Sequence, residues 1–285
     1  MTLHIGTAGW TLPSQHAHHF PSAGTHLQRY APILSCAEIN SSFHRPHLRK
    51  TWERWAASTP DHFRFSVKVP KTITHTAKLA NCGALLQTFL DQASGLNAGS
   101  VPKLGPLLIQ LPPSLAFDPG LAHEFFSTFR ELHTSPLVLE PRHATWFAPA
   151  ADRLLRDFQI SRAAADPAKA SPLAVRPGGS PALRYYRLHG SPRTYYSEYT
   201  DASLQQLAAT LRSHPATAET WVIFDNTAAG HATANALTLR QHFAPPHTLI
   251  HPPTSLGSLS IQSQSVPPKA AGDLSRTAAR ESQSE

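Results

Sequence analysis

Cysteine is nearly absent from this chain. Cys36 and Cys82 are the only two, and neither sits in a CxxC pair. That excludes a disulfide framework and a thiolate zinc site. No apolar run approaches the ~18 residues that a membrane-spanning helix needs. The first strand candidate begins at Leu3, which leaves no room for a signal peptide, so a cytoplasmic protein is expected. The glycine pair Gly178-Gly179 lacks the GxGxxG pattern and reads as a turn. Acidic residues are outnumbered, 18 against 25 Lys and Arg, giving a formal net charge of +7. That balance suits anionic partners. The basic residues are scattered, however, and Lys269, Arg276 and Arg280 lie near the C-terminus. Without a compact Lys/Arg run, a small anionic molecule is favoured over nucleic acid as the partner.

Against these shortages stands a regular pattern. Eight short apolar runs each finish on a polar or ionisable residue or a glycine: Leu3–Gly6, Cys36–Asn40, Phe63–Lys68, Pro106–Gln110, Leu137–Glu140, Ile160–Asp166, Arg184–His189 and Trp221–Asp225. Most are separated by stripes at helical spacing. Examples are Leu48, Trp52 and Trp55, then Leu121, Phe125, Phe129 and Leu132, then Leu204, Leu207, Ala208 and Leu211, with Asp201 as the expected N-cap. Thr25–Leu34 reads as a further helix. Eight strand-then-helix units predict a (β/α)8 TIM-type barrel over residues 1–250. Asp166–Pro181 is rich in proline and glycine, so the sixth helix is expected to be short or absent. Beyond Pro252 bulky residues are few, and residues 251–285 are expected to form a disordered tail.

In such a barrel the chemistry sits at the C-terminal ends of the strands. Alternation along Tyr185–His189 puts Tyr185, Arg187 and His189 on one face and Tyr186 and Leu188 on the other. The polar face should point into the barrel, where a buried arginine needs acidic partners. Glu38, Glu140, Asp166 and Asp225 end other strands and are the candidates. Asn40 shares a face with Glu38, and Arg142 with Glu140. Glu38, Glu140, His189 and Asp225 are therefore the candidate catalytic groups. Candidate binding groups are Trp10, Asn40, Lys68, His75, Arg142, Trp146, Arg187, Tyr196 and Asn226, with Tyr195 and Tyr199 in the same aromatic cluster. Eighteen histidines suggest metal, but His16, His18 and His19 lack helical spacing. Lys68, Arg142 and Arg187 would repel a cation at the mouth, so no metal and no cofactor are expected.

The ordered segments Ile5–Trp10, Glu38–Phe43, Thr59-Pro60, Phe63–Lys68 with Pro70 and Ile73–His75, Gly105–Pro112, Glu140–His143 with Trp146, Tyr186–Gly190, and Phe224–Thr227 with Gly230 and Asn235-Ala236 resemble the YecE-like family, domain of unknown function 72. The resemblance runs from about Leu3 to Phe243. It implies a TIM-type barrel with a polar site at the strand C-termini, and it implies no established reaction. One departure is His44, where the family usually has tyrosine.

Two function classes follow. The first is an enzyme of hydrolase or lyase type acting on a polar anionic or sugar-containing substrate. Glu140 or Glu38 would then be the base, His189 the proton carrier, and Lys68, Arg142 and Arg187 the holders of negative charge. The second is a non-catalytic module for a nucleotide or nucleic acid, using the same cations with tyrosines for stacking.

Overall fold

Strand and helix alternate along the chain as the apolar periodicity predicts. The computed structural model describes residues 2–215 and 217–244. The expected tail and the last six residues of the expected barrel span lie outside the described residues. β1 (Leu3–Ala8) precedes a 3-10 helix (Ser14–His19) and α1 (His26–Tyr30). β2 (Cys36–Ile39) leads to α2 (Ser41–His44) and α3 (Arg49–Ala57). β3 (Arg64–Lys68) leads through a π-helical turn (Thr72–Thr76) to α4 (Gly83–Ala93). β4 (Leu104–Gln110) is followed by α5 (Pro119–Leu132), and β5 (Leu137–Glu140) by α6 (Pro149–Asp157). β6 (Ile160–Arg162) and β7 (Ala164–Asp166) carry no α-helix after them, only a 3-10 turn (Pro172–Val175) and the two-residue β8 (Gly178–Gly179). β9 (Leu183–Leu188), α7 (Asp201–Arg212), β10 (Glu219–Phe224) and α8 (His231–Gln241) complete the order.

The strands form one sheet in the order β7-β9-β10-β1-β2-β3-β4-β5-β6-β8. All pairings are parallel except β6 with β8. The two ends of this order belong to one run. β6 bonds to β5 and β7, one residue later, bonds to β9, so the sixth strand is the seam that closes the barrel. Ala163 between them still donates its N–H to Leu139 O at 2.8 Å. The glycine pair, expected as a turn, is instead a short antiparallel strand on β6. Gly179 has φ +65, and a Cβ there would meet Ile160 O at 2.4 Å, so only glycine lets this segment lie against the seam.

Alternation separates two cores. Cys36, Leu108, Val138, Ala163, Leu183, Tyr185, Trp221 and Ile223 fill the barrel interior. Their neighbours Ile39, Phe65, Val67, Leu107, Ile109, Leu139, Tyr186 and Val222 face outward and join helix residues such as Leu86, Phe126, Phe129, Leu155, Leu204 and Leu239. Each such buried side chain contributes roughly 1.5–3 kcal/mol. Gly6 lets β1 and β2 approach, since a Cβ there would fall 1.9 Å from Cys36 O.

Local details differ from the sequence reading. α1 is shorter than Thr25–Leu34, and Thr25 caps it by accepting from Gln28 N. Thr200, not Asp201, is the N-cap of α7, its Oγ1 accepting from Ser203 N at 3.3 Å. Leu48 lies just outside α3 and is exposed, whereas Trp52 of the same stripe is buried.

Candidate functional site

The inward face of β9 carries Tyr185, Arg187 and then His189, all fully buried. Burying a guanidinium without counter-charge is strongly unfavourable, and here three strand ends supply it. Arg187 Nη2 donates to Glu38 Oε1 at 2.6 Å and to Asp225 Oδ2 at 3.0 Å. Its Nε donates to Glu38 Oε2 at 3.0 Å, and its Nη1 to Glu140 Oε2 at 2.6 Å. Burial alone would ease the proton off Arg187, but Glu38, Glu140 and Asp225 together hold it well above the ordinary guanidinium range. Asp166, also nominated as its partner, lies elsewhere. Its Oδ2 accepts from Tyr199 Oη at 2.7 Å.

His189 sits between two of the same carboxylates. Nδ1 is 3.0 Å from Asp225 Oδ2, and Nε2 is 3.1 Å from Glu140 Oε1 and 3.0 Å from Arg142 Nη2. Arg142 Nη2 also pairs with Glu140 Oε1. Burial pushes the Glu140 carboxyl up, but Arg187, Arg142 and His189 outweigh it and hold it well below the usual carboxylate range. Asp225 is lowered in the same way, with burial opposed mainly by Arg187 and His189. The Arg142 Nε–H is buried, with no hydrogen-bond partner among the described residues.

Lys68, at the end of β3, approaches the same mouth. Its Nζ lies 4.1 Å from the centre of the Phe43 ring. Burial and then the Arg187 charge bring its amine down to about 8, against the opposing pull of Glu38, Glu140 and Asp225. His75, in the π-helical turn, packs edge-on to Phe43, centroids 5.0 Å apart. Partial burial and then Lys68 and Lys71 lower its pKa. Three carboxylates thus face three cations, so the mouth is balanced when His189 is neutral. With Glu38 and Glu140 committed to Arg187, no cluster of three His, Cys, Asp or Glu able to hold a metal occurs among the described residues.

Other nominated residues do not join this group. Trp146 is buried in the helix-facing core, donates its indole N–H to Leu115 O at 2.9 Å and packs edge-on to Phe117, so no face remains for a substrate. The strand-end position was correct, but the 3-10 turn Ala144–Phe147 carries the ring outward. Tyr196 is exposed and stacks on Arg193 at 3.9 Å. Its neighbour Tyr195 is the tyrosine beside the site, edge-on to His189 with centroids 5.9 Å apart. Trp10 leans on Trp55 and Phe65 of the outer core and lines a separate cavity of about 290 Å³ with Gly9, Thr11, His26, Asn40 and Ser41. Asn226 braces the loop after β9, donating to Ser197 O at 2.9 Å and Asn235 Oδ1 at 2.8 Å. His44 is exposed, edge-on to Phe43.

Three polar residues at the site were not nominated from the sequence. Tyr185 Oη donates within 2.9 Å of Glu38 Oε2 and lies 2.7 Å from Ser66 Oγ. Burial and then the Glu38 charge push its phenol well above the ordinary range, so it serves as a hydrogen-bond donor. Gln110 Nε2 donates to Glu140 Oε1 at 3.2 Å. Alternation was the available signal, because Ser66 and Gln110 share the inward face of their strands.

A family model described as "Protein of unknown function DUF72" matches residues 4–256. The UPF0759 protein YecE of Escherichia coli K12 is 32% identical over 149 residues, 51% of this chain and 50% of that protein. The same holds for YecE of Escherichia coli O157:H7. The matched stretch thus spans about half the length of these curated relatives. Among solved structures, a DUF72 family protein of Enterococcus faecalis V583 superposes with a TM-score of 0.71 at 20% identity, covering 85% of this chain and 95% of that one. One of Thermotoga maritima MSB8 superposes with a TM-score of 0.69 at 22% identity, covering 85% and 99%. These likenesses establish a shared barrel.

Proposed function

The chain belongs to the DUF72 family, and from the site that it carries we propose that the barrel mouth is an acid–base active site for a polar, anionic substrate. The observation that carries this reading is the 3.0 Å contact of Asp225 Oδ2 with His189 Nδ1, on a histidine whose Nε2 faces Arg142. Asp225 holds the tautomer with hydrogen on Nδ1, which leaves the Nε2 lone pair to accept from Arg142. An anionic substrate group draws Arg142 toward itself and frees Nε2 as a base. Once Nε2 has taken a proton, Glu140 Oε1 at 3.1 Å stabilises the imidazolium.

Glu140 itself is a poor base, because neighbouring cations hold its pKa well below the usual range despite burial. Glu38 has both oxygens engaged by Arg187. Both acids therefore act as fixed counter-charges, and His189 moves the proton. Chemistry of this kind serves hydrolases and lyases, and positioned proton transfer is worth roughly 10²–10⁴-fold in rate. The test is an untargeted metabolite screen with wild type beside His189→Asn. Depletion of a substrate by wild type, reduced at least ~100-fold in a variant that keeps its Tm, is the expected result. Equal depletion by both proteins would overturn the assignment.

A further inference from the structure

Among the described residues, Lys68 is the one cation of the mouth with no carboxylate in ion-pair contact. Arg187 takes Glu38, Glu140 and Asp225, and Arg142 takes Glu140. Among the described residues, no carboxylate oxygen lies within ion-pair distance of Lys68 Nζ, which rests instead over Phe43. A buried structural lysine behaves differently. Lys103, near the start of β4, donates to Pro60 O at 2.5 Å and pairs with Asp61 at 3.7 Å. The Phe43 ring attracts the ammonium only weakly, so no carboxylate ion pair has to be broken when the amine loses its proton.

We infer that Lys68 is a nucleophile that forms an imine with an anionic carbonyl compound held at the mouth. The neutral amine adds its lone pair to the carbonyl carbon, the carbonyl oxygen takes a proton and the nitrogen gives one up, giving a carbinolamine. The hydroxyl then takes a proton and leaves as water while the nitrogen gives up its remaining proton, which leaves a C=N bond. Net, one amine and one carbonyl give one imine and one water, with no change of oxidation state. The Arg142 Nε–H, buried with no partner among the described residues, is an open donor for the anionic group. The inference rests on the acid–base reading of the same mouth, in which His189 Nε2 takes each proton that the nitrogen gives up and returns it to the oxygen.

The groups facing Lys68 set its titration. Desolvation of the strand end and then the Arg187 charge lower it to about 8, Glu38, Glu140 and Asp225 oppose them, and His75 stands on the neighbouring turn. At neutral pH such an amine holds about 300-fold more of the unprotonated form than a lysine at its ordinary value of 10.5.

The test uses the full chain with sodium cyanoborohydride and one of three carbonyl probes: pyruvate, glycolaldehyde phosphate or neutral acetaldehyde. Intact mass counts the labels and peptide mapping locates them. The expected result is a single label on Lys68 with an anionic probe, at least ~10-fold faster than on exposed Lys50, Lys71 or Lys78, with a rate that rises through about pH 8. Pyruvate and glycolaldehyde phosphate distinguish a 2-oxo acid from a carbonyl phosphate. Arg142→Gln should slow the anionic probes about 10-fold more than it slows acetaldehyde, whose rate reports any effect passed on through His189. Labels spread over the exposed lysines with Lys68 unmodified would overturn the nucleophile. Acetaldehyde labelling Lys68 as fast as both anions would overturn the substrate class. The readout needs no turnover, so loss of the label with His189-dependent depletion intact would remove this inference alone.

Discussion

Replacing Arg187 by methionine removes the hub of the site while keeping much of its volume. The variant leaves Glu38, with two hydrogen bonds lost, beside Glu140, with one lost, and both are fully buried. Glu38 keeps Tyr185 Oη, and Glu140 keeps Arg142, His189 and Gln110. Removing one partner of a buried pair costs about 3–5 kcal/mol, a large share of the ~5–15 kcal/mol that holds a domain folded. At ~2–4 °C per kcal/mol for a domain of this size, Tm should fall by roughly 6–20 °C. The pH dependence gives a second signature. In wild type the depressed Glu140 contributes stability that is present above its unfolded value of 4.5 and is lost as pH falls through its folded value. In the variant, burial continues to favour the protonated carboxyl while the strongest opposing charge is gone. The gap in Tm between the two proteins should therefore narrow as pH falls toward the ordinary carboxyl value. Adding Glu38→Gln to the variant removes one stranded charge and should recover part of the loss. Differential scanning calorimetry measures all three. A fall below ~3 °C that is constant with pH would refute the reasoning.

Trp146→Ala should cost about 3–5 kcal/mol in chemical denaturation, because the ring is core, and an unchanged midpoint would return Trp146 to the list of binding residues. Gly6→Ala should abolish soluble folded protein, since its Cβ would overlap Cys36 O, whereas Gly9→Ala, with φ +75 and open space around it, should cost only about 1–2 kcal/mol; equal behaviour in a solubility and melting assay would contradict the packing described. The purified protein should carry no stoichiometric metal, and chelator should leave Tm unchanged, because Arg187 occupies the acids that would ligate an ion. Elemental analysis finding one tightly held zinc, manganese or iron per chain would contradict this.

The barrel and its polar mouth were legible because period-two alternation is strong where one face is apolar. Tyr186 and Leu188 marked the outside of β9, so Arg187 and His189 had to point inward, and strand-end acids were the available partners. What was illegible had no periodic signal. The change of partner at Ala163, which splits the sixth strand, leaves no mark in a run of small residues. Tyr195 and Tyr196 lie in an irregular loop, where neither has a predictable direction. Asp166 ends a strand as Glu140 does, but Tyr199 reaches it from a loop that no spacing rule connects to it. Trp146 follows a strand end by six residues, and a single 3-10 turn decides whether such a ring faces substrate or core.

The pairing of β1 with β10 has a consequence for synthesis. Leu3 is the partner of Thr220 and Thr7 of Phe224, so β1 must wait for β10, made more than two hundred residues later. At ~5–20 residues per second, on the order of 10–40 s pass between them on the ribosome. Throughout that interval one edge of β1 has no mate, and β2 can cover only the other. The nascent chain therefore carries an open seam until nearly all of the barrel has emerged, and anything that slows translation near residue 220 prolongs its exposure to chaperones and to other unfinished chains.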